Sequence, residues 1–114
     1  MRDAISTESM RLLESFHTRN LAAAQLLLPE GINLDISPIG NLEHTASCSV
    51  NIESPALLGN LTMWVTGECD LLVTNETAQD VLINETKVLK TESDVQRCLD
   101  AAYQRLRDIN NDAS

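Results

Sequence analysis

Cys48, Cys69 and Cys98, with His17 and His44, are the side chains of this sequence that could hold a soft metal or act as nucleophile and base. A zinc site wants close pairs of such ligands. The nearest two, His44 and Cys48, would share one face of a strand but stand too far apart along it to chelate. An odd number of widely spaced cysteines on apolar faces reads instead as small buried hydrophobes in a reducing compartment. His17 falls on a helix with no catalytic partner near it in sequence. Nucleophile and base can be assembled in space from distant residues, but no glycine-rich phosphate loop or recognisable carboxylate pair accompanies them here. The sequence therefore predicts no catalytic residue, no metal site and no cofactor, and it does not read as an enzyme.

The carboxylates are more informative. From Glu30 to Thr86 there is no lysine or arginine, while Glu30, Asp35, Glu43, Glu53, Glu68, Asp70, Glu76, Asp80 and Glu85 all fall in that span. Every cation lies in the flanking segments, so the middle of the chain carries the whole excess behind a formal net charge of −9. Such a balance argues against nucleic acid, whose phosphates need lysine and arginine, and against an anionic membrane surface. It serves solubility, or it draws in a basic partner and speeds encounter.

The stretch LTMWVTGECDLLV, residues 61–73, holds the only tryptophan. Leu61, Met63 and Val65 share one strand parity; Trp64 shares the other with Asn60, Thr62 and Thr66. If the sheet has one buried face, the opposite face carries Glu43, Thr45, Ser47, Ser49, Asn51, Glu53, Asn60, Thr62, Trp64, Thr66, Glu68, Asp70, Leu72 and Thr74. Tryptophan is enriched at binding hot spots, where a rigid apolar body is buried at small entropic cost. The candidate partner-binding set is accordingly Trp64 as anchor, Glu43, Glu53, Glu68 and Asp70 for steering and paired contacts, and Thr62, Thr66 and Leu72 beside them. The alternative is that Trp64 packs on Leu72 across the hairpin, or under a loop, and only stabilises the sheet.

Regular elements must hold these residues in place. Met10, Leu13, Phe16 or His17, Leu21 and Ala24, with Leu12, Leu27 and Leu28, predict a helix over about Thr7–Leu28, ended by Pro29-Glu30-Gly31. Ile32, Leu34 and Ile36 alternate with polar residues. His44, Ala46, Cys48, Val50 and Ile52 then alternate with Thr45, Ser47, Ser49, Asn51 and Glu53, the signature of a strand wet on one face. Pro55 turns the chain. A third strand covers about Leu58–Thr66 and a fourth about Glu68–Thr74, joined at Gly67. A fifth, near Asp80–Leu89, is blurred because Val81, Leu82 and Ile83 run together. Val95, Leu99, Ala102, Leu106 and Ile109 step at helical spacing from Glu92, with Thr91 as cap and Asp94 imitating a capping box. The expectation is an α+β domain spanning residues 1–114, frayed over 110–114, with an N-terminal helix, an antiparallel meander of four or five strands and a C-terminal helix. Both helices pack on one sheet face.

No apolar leader follows the N-terminus, and the block LAAAQLLL (residues 21–28) is too short to span a bilayer. The expected location is cytoplasmic. In that setting the glycosylation-like triplets at Asn60, Asn75 and Asn84 are chance matches.

The hairpin from Gly59 to Val73, GNLTMWVTGECDLLV, resembles that of the TriTu family of bacterial immunity proteins. That family places a tryptophan, then one or two residues, then a glycine, followed by acid, cysteine, aspartate and an apolar residue. Thr91-Glu92-Ser93-Asp94 opening a C-terminal helix is similar too, and the likeness covers roughly residues 32–107. It implies a non-enzymatic antitoxin that binds and blocks the toxic C-terminal domain of a contact-dependent inhibition or polymorphic toxin. Such domains are commonly nucleases, often acting on transfer RNA, and some work with elongation factor Tu. An acidic secretion chaperone, also small and α+β, is the alternative. A small enzyme or ligand-binding domain would need a deep pocket lined by His17, His44 or a cysteine.

Overall fold

The computed structural model describes residues 7–39 and 46–112. Helix α1 (Thr7–Leu27) passes through a short 3-10 turn (Leu28–Glu30) into five strands, and helix α2 (Glu92–Asp112) follows them. The strands are β1 (Asn33–Ile36), β2 (Ser47–Glu53), β3 (Leu57–Trp64), β4 (Glu68–Asn75) and β5 (Val81–Val88). They pair in chain order, each antiparallel to the next. The fold is thus α+β with a five-stranded meander between two helices, as expected. His44 and Thr45, where the second strand was expected to begin, lie outside the described residues.

One parity of each central strand builds the core. Cys48 faces Met63, Val50 faces Leu61, Leu61 faces Leu71 and Val73 faces Ile83, and all are buried. Phe16, Leu13 and Leu27 of α1 and Val95, Leu99 and Leu106 of α2 join the same cluster. α1 lies against β1, β2 and β3, while α2 sets Cys98, Ala102 and Arg105 beside Cys69 and Leu71 of β4 and Glu85 and Lys87 of β5, with Arg105 paired to Glu85 at 2.6 Å. Aliphatic side chains dominate this core, as the scarcity of aromatics requires.

The α1 stripe departs from expectation at Leu21 and at Leu28, which is exposed where it opens the 3-10 turn. Leu21 is exposed, and Asn20 is fully buried in its stead. The amide earns its place through bonds: Asn20 donates to the Phe16 carbonyl at 2.7 Å and accepts from the Tyr103 hydroxyl of α2. A buried polar group is tolerated when its partners are present, and this pair ties the helices together. The chain leaves α1 as the sequence suggests, with Gly31 at φ 87° donating to the Leu28 carbonyl at 2.9 Å. That left-handed cap suits glycine.

α2 opens with the expected capping box. Asp94 accepts from the Lys90 and Thr91 amides at 2.9 and 3.1 Å, and its own amide donates to the Thr91 hydroxyl at 3.0 Å. At the other end the helix continues past Ile109 to Asp112. There Asn110 donates to the Glu30 carbonyl at 3.1 Å and Arg107 pairs with the Glu30 carboxylate. The blurred fifth strand has a physical cause as well. The register slips between Val73 and Thr74, which pair with Ile83 and Val81, so Leu82 is an extra residue and alternation breaks.

Candidate functional site

Each sheet residue on the opposite parity faces away from both helices. Asn33 and Asp35 of β1 stand beside Glu53 and Asn51 of β2, which stand beside Leu58 and Asn60 of β3. Thr62 faces Asp70, Asn60 faces Leu72, and Glu68, Asp70 and Leu72 continue to Val88, Thr86 and Asn84 of β5. Trp64 closes β3 on this face, opposite Ser47 and half-buried.

A chain of side-chain hydrogen bonds stiffens the middle of the face. Asn60 donates to Asn51 at 2.9 Å, Thr62 donates to Asn60 at 2.7 Å, and the Thr62 and Ser49 hydroxyls are 2.9 Å apart. The Ser49 amide in turn donates to the Ser37 hydroxyl at 2.9 Å. Thr62, only 8% exposed, is therefore a structural member of the strip. On either side of this neutral strip stand carboxylates, Asp35 and Glu53 towards β1 and Glu68 and Asp70 towards β5. No lysine or arginine shares the face among the described residues.

The hairpin corner is held by the backbone. Gly67 donates to the Trp64 carbonyl at 2.9 Å, and its own carbonyl accepts from Leu89 at 2.8 Å. Gly67 adopts φ +99°, and a Cβ there would lie 2.7 Å from the Leu89 carbonyl oxygen. Only glycine fits. The corner that presents Trp64 is thus fastened to the segment leaving β5. Thr66 sits exposed in the same turn.

Of the sequence-derived set, the structure brings Trp64, Glu68, Asp70, Thr62 and Leu72 onto one face, with Thr66 at its corner and Glu53 at its far side. Glu43 lies outside the described residues. The register separates Trp64 from Leu72, which faces Asn60, well along β3 from the tryptophan. The corner residue and Leu72 cannot be cross-strand partners in this register.

A second cluster escaped the sequence reading. Cys69 of β4 and Cys98 of α2 line a small cavity under the helix, together with Leu61, Lys87, Ala102 and Arg105. The hydrogen bond from the Cys69 thiol, aided by the Lys87 ammonium, lowers the Cys98 thiol to about 7 against the opposing effect of burial. That same bond and burial hold the Cys69 proton on firmly. Burial raises Cys48 to about 11, despite its contact with Ser37. The only sequence signal was that Cys69 has inward parity and Cys98 borders the α2 stripe. Among the described residues no group of three or more His, Cys, Asp or Glu side chains is placed to hold a metal ion. None of the described helices is long and apolar enough to cross a membrane.

The family model for the immunity protein TriTu matches residues 20–105, from the buried Asn20 of α1 to Arg105 of α2. The match takes in the whole sheet and the Asn20–Tyr103 link. No curated protein is similar enough to this chain to count as a match.

Proposed function

Because the chain belongs to the TriTu family of immunity proteins, we propose that its open, acidic sheet face binds and neutralises a cognate toxin. The partner in this reading is the toxic C-terminal domain of a contact-dependent inhibition or polymorphic toxin, a basic nuclease with transfer RNA as its substrate class. Elongation factor Tu enters only through the toxin. The protein acts in the cytoplasm without catalysis, by occupying a basic surface that the nuclease would otherwise offer to phosphates.

The observation that carries this reading is a coincidence of features on one face. A half-buried tryptophan stands at a rigid corner, and Glu68 and Asp70 follow it on the next strand with no cation among them. Trp64 supplies the apolar anchor, while Glu53, Glu68 and Asp70 steer approach and pair with lysine or arginine. Glu43 belongs to the same proposed set. Thr62 and Thr66 flank the anchor, Leu72 adds an apolar side chain further along the same face, and the hydrogen-bonded strip through Thr62 keeps the surface in its binding shape before the partner arrives.

The test uses the purified cognate toxin domain of the proposed kind. Trp64→Ala combined with Asp70→Ala should weaken the complex by about 4 kcal/mol or more, since an aromatic anchor and a paired charge are each worth about 2 kcal/mol or more on truncation. Calorimetric titration and survival of toxin-producing cells measure the loss, and thermal melting checks the fold. A folded double variant that neutralises as well as the parent chain assigns binding to another surface.

A further inference from the structure

The two edges of the sheet differ in how they meet solvent. β1 has four residues and is soon followed by Pro38. β5 has eight residues, Val81–Val88, and no proline. Val81, Leu82 and Val88 are 62%, 42% and 58% exposed along it. A long, proline-free edge carrying apolar side chains is a template for another strand, and proteins without a partner for such an edge usually blunt it.

The ladder fixes which backbone groups of β5 are free. The Leu89 amide donates to Gly67 at 2.8 Å, so residues 87, 85 and 83 turn their backbone groups towards β4. Asn84, Thr86 and Val88 form the intervening pairs with Leu72, Asp70 and Glu68. In an antiparallel ladder the N–H and C=O groups of those residues point to the opposite side, here the open edge. Their side chains share the Trp64 face. An added strand would therefore extend that face directly beside Glu68 and Asp70.

We propose that β5 accepts an extended basic segment of the toxin domain as a sixth strand, whose lysine or arginine side chains lie over Glu68 and Asp70. The proposal rests on the toxin-binding function above. Charge selects the occupant. A second copy of this chain, of net charge −9, would bring like charges to the carboxylates, whereas a basic segment neutralises them. The nearby cations Lys87 and Arg105 line the cavity on the helix-covered side and leave the face acidic. Backbone pairing supplies the binding bonds in this mode, and alternate side chains supply the specificity.

Amide hydrogen exchange on the full chain, free and mixed with the purified cognate toxin domain, tests the proposal. Asn84, Thr86 and Val88 should exchange about 100-fold slower in the complex. Thr86→Pro should weaken binding about tenfold or more while the free chain still melts cooperatively, because an outward N–H makes no ladder bond in the free chain. If the proline variant does not fold, exchange in the parent complex decides. A complex that forms, responds to Trp64→Ala and leaves those amides unprotected overturns the edge pairing and spares the immunity reading. Failure of the parent chain to bind overturns that reading and the edge pairing with it. Protection of those amides in the chain alone, with a dimer in sedimentation, assigns the edge to a second copy and overturns the proposal.

Discussion

Cys98 shows how one residue's chemistry depends on what the fold sets beside it. The Cys69 thiol and the Lys87 ammonium favour its thiolate, and its reactivity should follow. Iodoacetamide should label Cys98 with a half-maximal rate near pH 7, against an ordinary thiol value of 9.0, and should leave Cys48, held at about 11, unlabelled at pH 8. Peptide mapping reads both outcomes, and Cys69→Ala should move the Cys98 midpoint upwards. The sign for stability follows from proton binding. Between about 7 and 9.0 the unfolded chain holds the Cys98 proton that the folded chain has lost, so stability rises with pH. Above 9.0 the folded chain keeps the Cys69 proton that the unfolded chain loses, and stability falls. Neither effect is legible in sequence, because a strand cysteine and a helix cysteine in separate elements meet only through packing. Trp64 is the contrasting case. Its outward parity could be counted directly from Leu61, Met63 and Val65, while its independence from Leu72 needed the register.

At the scale of elements, the β3–β4 hairpin depends on Gly67. Gly67→Ala must escape both φ +99° and a 2.7 Å approach to the Leu89 carbonyl, which should cost about 2 kcal/mol. Denaturant melts measure it, and the altered corner should weaken toxin binding as well. The capping of α2 at Thr91 and Asp94 was readable because it is local: the residues that bond lie within one turn of each other. The α1 stripe was less so. Apolarity alone favours Leu21, and the burial of Asn20 depends on Tyr103, which lies in the other helix. The run Val81-Leu82-Ile83 blurred the fifth strand for a similar reason, since a bulge is a relation between two strands and has no spelling in one.

For the whole molecule, the distribution of charge predicts how the complex forms. Exposed carboxylates act over about a Debye length, roughly 8 Å at physiological salt. The association rate with a basic toxin domain should therefore fall about tenfold or more from low to physiological salt, with a much smaller change in dissociation. Stopped-flow mixing across a salt series reads this, and a flat series removes the steering role of Glu53, Glu68 and Asp70. The meander was legible as a whole because one face is dry and one is wet, which imposes period two on β2, β3 and β4. What the proposed face binds is a property of another molecule, and the family match narrows it. The same period has a consequence for heredity. Under the proposed binding mode, neighbouring codons along β4 answer alternately to the protein's own interior and to its partner. A lineage pursued by a changing toxin could then revise the outward residues Glu68, Asp70 and Leu72 and leave the inherited scaffold as it was.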